Sequence, residues 1–128
     1  STLDRSSAAS DVYKRQESGY QIMTEIINEH KDQLPPAFFI SSDALAIGAL
    51  RALQEHGIQV PQDVSIISFN DTSIAKYIYP SLSTVTVFTE EMGKQALHIL
   101  NQSLTSEEDS IPYMVKLSTK LTIRESSI

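Results

Sequence analysis

Phe38-Phe39-Ile40-Ser41-Ser42-Asp43, then Ala44 to His56, then Gly57-Ile58-Gln59-Val60-Pro61, then Val64-Ser65-Ile66-Ile67-Ser68-Phe69-Asn70-Asp71: this run decides the fold, and it reads as strand, helix, strand. Phe38-Phe39-Ile40 is a short apolar run with no helical period, which predicts a buried strand. Ser41 or Ser42 can cap the next helix, and Asp43 sets a carboxylate at its positive end. Ile47, Leu50 and Leu53 or Gln54 recur at three- and four-residue steps, with Ala44, Ala46, Ala49 and Ala52 between them. That pattern is amphipathic, with much of its surface small enough for close packing. Gly57 stands where a left-handed C-terminal cap belongs, and Pro61 prevents the helix from resuming. Val64 to Phe69 is near-continuously apolar, as strands buried on both faces are.

A strand-helix-strand crossover implies two parallel strands that end on the same edge of the sheet. One brings Ser41, Ser42 and Asp43 there, and the other brings Asn70, Asp71 and Thr72. In open parallel sheets that carboxyl edge is where ligands bind. Hydroxyls, an amide and carboxylates suit a neutral, hydroxyl-rich ligand, and neither turn holds a Lys or Arg for a phosphate. The plainer alternative is that Ser42 and Asp43 only cap a helix and Asn70-Asp71-Thr72 only makes a turn.

Around this unit, 128 residues amount to one domain, and 41% hydrophobic and 20% charged residues are ordinary for a globular protein. The absence of cysteine removes disulfides and thiolate metal sites. His30, His56 and His98 lie in helical patterns without metal-ligand spacing, so no metal and no cofactor is expected. A formal net charge of -6 argues against nucleic-acid binding by this stretch itself. No apolar run approaches the roughly twenty residues of a membrane span.

Residues 1–16 are polar and have no periodic apolar face, so they are expected to be disordered or foreign to a domain spanning residues 17–128. Glu17 to Lys31 predicts a helix through Tyr20, Ile22, Met23, Ile26 and Ile27, with Ser18 as N-cap. Ser73 to Tyr79 predicts one or two helical turns, and Thr84 to Phe88 a strand. A helix from Thr89 should bury Met92, Ala96, Leu97, Ile99 and Leu100. Ser103 to Ile111 reads as a polar loop, with Glu107-Glu108-Asp109 solvated in it. Tyr113–Leu117 and Lys120–Arg124 read as strands. These elements do not close a doubly wound sheet, so the chain is expected to be part of a longer protein or to complete itself by oligomerising.

Four stretches, in this order, carry a resemblance: Phe38 to Leu50, Gly57 to Asp71, Pro80-Ser81-Leu82-Ser83-Thr84-Val85, and Glu91-Met92-Gly93. They resemble the lactose/galactose repressor family of bacterial transcription regulators from about Glu17 onward. Phe69-Asn70-Asp71-Thr72 and the ending Lys120 to Glu125 look most like its galactoside-responsive branch. The resemblance implies an α/β fold of the periplasmic-binding-protein-like (type I) kind, a Rossmann-like parallel sheet flanked by helices. This chain would be an incomplete fragment holding most of the C-terminal subdomain. The implied protein is a cytoplasmic, sugar-responsive repressor that takes galactose or a galactoside. It would be a homodimer that reaches operator DNA through an N-terminal headpiece absent from this chain, with no membrane partner. A sugar-binding transport protein of the same fold is the alternative.

By position, Ser42 stands where the family often has an effector-contacting Asn, and Asn70 where it often has an Asp that bonds sugar hydroxyls. Both are departures: Ser shortens the reach, and Asn exchanges a charged acceptor for an amide that donates and accepts. The implied effector residues are Ser42, Asp43, Asn70, Asp71 and Thr89, and the implied dimer surface is Ala46, Ala49 and Tyr77. No enzyme is expected: Asp43 with Asp71 is the one carboxylate pair worth naming, and no nucleophile, phosphate loop or metal spacing accompanies it.

Overall fold

The computed structural model describes residues 2–30, 33–106 and 111–128, with side chains from residue 11 onward. The chain runs α1 (Thr2–His30), β1 (Ala37–Phe39), α2 (Asp43–Glu55), β2 (Ser65–Asn70), a single 3-10 turn (Ser73–Lys76), β3 (Ser83–Thr86), α3 (Thr89–Thr105) and β4 (Lys120–Thr122). The strands form one sheet in the order β1-β2-β3-β4. The first three are parallel, with Phe38 opposite Ile66 and Ser68 opposite Thr84. β4 closes the far edge antiparallel, with Thr122 opposite Thr84. The expected α/β sheet is therefore present, with one reversed edge strand. Glu107-Glu108-Asp109 lies outside the described residues.

The β1-α2-β2 unit follows its sequence closely. Ser42, rather than Ser41, caps α2: its Oγ accepts the Leu45 amide at 3.3 Å. Gly57 adopts φ +72°, a conformation that costs glycine nothing and lets the chain leave the helix at once. The core sits between α1, α2 and one face of the sheet, built from Met23, Ile27, Ala46, Ala49, Leu50, Leu53, Ile66 and Leu82.

Two glycines bring the helices together. A Cβ on Gly48 would lie 1.9 Å from the Gln16 carbonyl oxygen, and one on Gly19 would lie 2.1 Å from that of Leu45. The backbones of α1 and α2 thus touch at Gly19 and Gly48, a closeness that larger residues would forbid.

Several expectations give way. α1 begins at Thr2, not near Glu17, so residues 2–16 are helical where composition suggested disorder. Ala8, Ala9, Lys14, Arg15 and Gln16 are good helix formers, and extending an existing helix costs far less than starting one. Ser18 is then no cap. It sits mid-helix and donates to the Lys14 carbonyl at 2.8 Å. The loop expected from Ser103 starts after Thr105, since the Ser103 and Thr105 hydroxyls bond back to the helix carbonyls of Ile99 and Asn101.

β2 is buried on one face only. Ile66 and Ser68 are covered, while Ile67 and Phe69 are half-buried. The reason lies in α3, which was expected to bury its apolar face and buries nothing. Met92 is 49% exposed and Leu97 68%, and an open apolar groove runs along Phe69, Val87, Met92, Ile99 and Val115. Tyr113–Leu117 forms no strand, because no paired neighbour stands beside it among the described residues.

The residues after β4 are tied firmly to the sheet. Ser126 is fully buried. Its Oγ accepts the Ser83 amide at 2.8 Å and donates to the Ile66 carbonyl at 2.7 Å. Its own amide donates to Ser81.

Candidate functional site

The crossover delivers both turns to the carboxyl edge, as their parallel strands require. Their side chains do not all face outward. Asp43 is fully buried and saturated with donors. Its Oδ1 accepts the Ser68 hydroxyl at 2.5 Å and the Thr84 hydroxyl at 2.9 Å. Its Oδ2 accepts the Thr72 amide at 2.6 Å and the Thr72 hydroxyl at 2.8 Å. Four donors around one carboxylate make a buried charge tolerable. They also leave it no capacity to serve a ligand, so Asp43, expected at the effector, is an internal strut joining α2, β2 and β3. Ser42 is likewise committed, as the cap of α2, and is 8% exposed.

Asp71 is the second surprise. Its Oδ1 accepts from the Arg124 guanidinium at 2.7 Å, and its Oδ2 accepts the Thr86 hydroxyl at 2.9 Å. Both side chains of the ion pair are mostly covered, at 14% exposed for Arg124 and 11% for Asp71. Burial alone pushes the Asp71 carboxyl up. The hydrogen bonds from Arg124 and Thr86, together with the positive charges of Arg124 and Lys76, outweigh it and hold the group below the usual carboxylate value. A second arm of Arg124 donates to the Leu82 carbonyl at 2.8 Å, which fixes the guanidinium against the start of β3. The expectation of an edge without basic residues held for the two turns and missed a cation arriving from beyond β4. Thr122 and Arg124 alternate onto one face of that segment. Yet nothing local to Arg124 marks a partner that lies 53 residues away.

Asn70 is different. Its side chain is exposed and makes no hydrogen bond to the described residues. Its backbone has φ 113°, and Asp71 follows at φ 59°. A left-handed Asp is tolerable, but φ 113° lies in a sparsely populated region for a residue with a Cβ. Conformations of this kind cost about 1–3 kcal/mol and persist where surrounding bonds over-determine them. Here the bonds are the Asp71 amide to Thr84 Oγ1 at 3.3 Å, the Asp71 carboxylate to Arg124 and Thr86, and Thr72 to Asp43. Asn70, with the exposed Ser41 on the neighbouring turn, is what the edge can offer a ligand.

Thr89 follows β3 past the Asn70–Thr86 pair and makes no hydrogen bond to either turn among the described residues. It is exposed at the start of α3, in a shallow hollow lined by its neighbours Val87, Phe88, Glu90, Glu91 and Lys94. Ala46 is fully buried and Ala49 is 3% exposed, both packed in the core. Neither forms an outer surface, because α1 covers the Ala-rich face of α2. Tyr77 is 85% exposed and stands beside Tyr79 at 82% and Ile74 at 42%. Among the described residues no group of three or more His, Cys, Asp or Glu could hold a metal ion, and no helix is long and apolar enough to cross a membrane.

Residues 2–127 match the family model of the periplasmic-binding-protein-like domain. The chain is 56% identical over 111 residues to the HTH-type transcriptional regulator GalR of Streptococcus thermophilus, covering 87% of this chain and 33% of that protein. It superposes on the transcriptional regulator CelR–cellobiose complex with a TM-score of 0.79 at 32% identity, over 88% of this chain and 33% of that one. It also superposes on a LacI family transcriptional regulator from Enterococcus faecium with bound ribose, with a TM-score of 0.74 at 29% identity, over 88% and 40% of the two chains. The chain spans about a third of the length of the curated relatives it matches.

Proposed function

Because the chain belongs to the lactose/galactose repressor family and carries its periplasmic-binding-protein-like domain, we propose that it is one wall of the effector cleft of a sugar-responsive transcriptional repressor. The effector is a galactose-type sugar, and it acts by favouring a subdomain arrangement that fits operator DNA worse. The observation that carries this reading is the Asn70 amide, exposed and uncommitted at the carboxyl edge, in a turn held by partly buried bonds. An amide that both donates and accepts suits sugar hydroxyls, and neither turn itself contains a Lys or Arg for a phosphate.

The galactose preference rests on the likeness to the regulator named GalR, and the sugar class on relatives that hold cellobiose and ribose. Those relatives are transcriptional regulators, which favours a cytoplasmic, non-enzymatic repressor over a transport receptor or an enzyme. Operator binding falls to a headpiece elsewhere in the protein, consistent with the net charge of -6 here. The open face of α3 and the half-covered face of β2 are where the remaining two-thirds would pack. Homodimerisation uses the exposed Ile74, Tyr77 and Tyr79 surface.

The test is operator binding by the intact protein, measured by gel shift with galactose, lactose, ribose and cellobiose. Release by galactose or lactose at concentrations where the others do nothing is expected. Operator binding indifferent to every sugar would overturn the reading.

A further inference from the structure

We propose that Arg124 is a positioning residue of the effector site: its ion pair with Asp71 holds the Asn70-Asp71 turn in the conformation that presents the Asn70 amide to the ligand. The proposal deepens the sugar-binding reading and rests on it for the identity of the ligand.

Asn70 and Asp71 both have positive φ, so the turn does not keep its shape unaided. Its neighbours pull from two directions. Thr84 and Thr86 hold Asp71 from β3, the strand that already pairs with β2. Arg124 holds it from the segment after β4, and does so with a side chain itself pinned by the Leu82 carbonyl. The guanidinium therefore bridges the start of β3 and the turn that follows the far end of β2. A planar fork fixed at one arm sets both the distance and the direction of the carboxylate on the other. The backbone between that carboxylate and the Asn70 side chain is a single peptide unit. Releasing Asp71 frees Asn70 to relax toward extended backbone, and its amide turns with it. Arg124 has no part in contacting the ligand: both its arms are occupied and it is largely covered.

The experiment uses the intact protein that carries these residues, with Arg124→Met, Arg124→Lys, Asn70→Ala and the double variant Arg124→Met/Asn70→Ala. The first readout needs no ligand. Nuclear magnetic resonance reports a small three-bond amide–Hα coupling for Asn70 at φ 113° and a large one in extended backbone. Arg124→Met should raise the coupling and shift the Asn70 side-chain amide, and Arg124→Lys should lie between it and wild type. The second readout is galactose affinity by calorimetry. Arg124→Met should lose about tenfold, the worth of one neutral hydrogen-bonding side chain. In the Asn70→Ala background it should lose nothing further, which a merely structural role would not produce.

An unchanged Asn70 coupling in folded Arg124→Met overturns the proposal. So does an equal affinity loss in the Asn70→Ala background. If wild type binds no sugar, the sugar reading fails while the coupling still decides the role of Arg124. If Arg124→Met does not fold, Asp71→Asn removes the charge without changing shape and is read by the same coupling.

Discussion

Replacing Gly48 by Ala adds a single methyl group at the place where α1 and α2 touch. The new Cβ would lie 1.9 Å from the Gln16 carbonyl oxygen and 2.7 Å from the Tyr20 amide nitrogen, both backbone atoms. Ordinary contact begins at 3.4 Å, so the helices must part by about 1.5 Å. No rotamer change relieves this, because neither neighbour is a side chain. Separation on that scale loosens Met23 and Ile27 against Ala46, Ala49 and Leu50. Overpacking of a tight core costs up to about 3 kcal/mol. Ala returns about 1 kcal/mol over Gly in a helix interior. A net loss of up to about 2 kcal/mol follows. The internal control is Gly93→Ala in α3, where an added Cβ meets nothing within 4 Å. There the helix preference acts alone, and a gain of up to about 1 kcal/mol is expected. Urea unfolding followed by far-ultraviolet circular dichroism measures both. A Gly48→Ala variant as stable as wild type would refute the close backbone contact between α1 and α2.

Three further outcomes are expected. Asp43→Ala removes the acceptor of Ser68, Thr72 and Thr84 and should cost about 3 kcal/mol or more, again by urea unfolding; a loss near that of a surface residue would place the carboxylate in solvent. Ser126→Ala strands the Ser83 amide and the Ile66 carbonyl and should cost about 1–3 kcal/mol in the same assay. The third concerns pH. The Asp71 carboxyl lies below its ordinary value of 3.8 when folded, so its contribution is complete above that value and fades as pH falls through the folded one. Wild type should exceed Asp71→Asn in stability by about 2 kcal/mol at neutral pH, and the gap should close progressively below 3.8; a gap independent of pH would mean the ion pair contributes nothing.

Local signals were legible and distant ones were not. Ser42, Gly57 and the apolar runs on either side of α2 act within a few residues of themselves, and each stands where its chemistry placed it. The parallel crossover then followed from connectivity alone. The candidate site was half legible. Which residues reach the carboxyl edge is a matter of topology, but which of them remain free depends on partners far along the chain. Asp43 is consumed by Ser68, Thr72 and Thr84, and Asp71 by Thr86 and Arg124. Ala46 and Ala49 show the same ambiguity. A small apolar residue fits an interface or a helix crossing equally well, and only the position of α1 decides. The apolar stripe of α3 was expected to be buried, but among the described residues nothing covers it and Met92, Leu97 and Leu100 stand exposed.

The Asp43 carboxylate also bears on the order of events in folding. Its partners lie 25, 29 and 41 residues away, and among the described residues its side chain has no nearer one. Bonds of that separation form only after the intervening loops have closed. Compensation of the buried carboxylate is therefore expected late on the folding path. Asp43→Asn should leave the refolding limb of a chevron plot nearly unmoved and raise the unfolding limb by almost its whole effect. A carboxylate with such a profile slows the exit from the native state and plays little part in finding it.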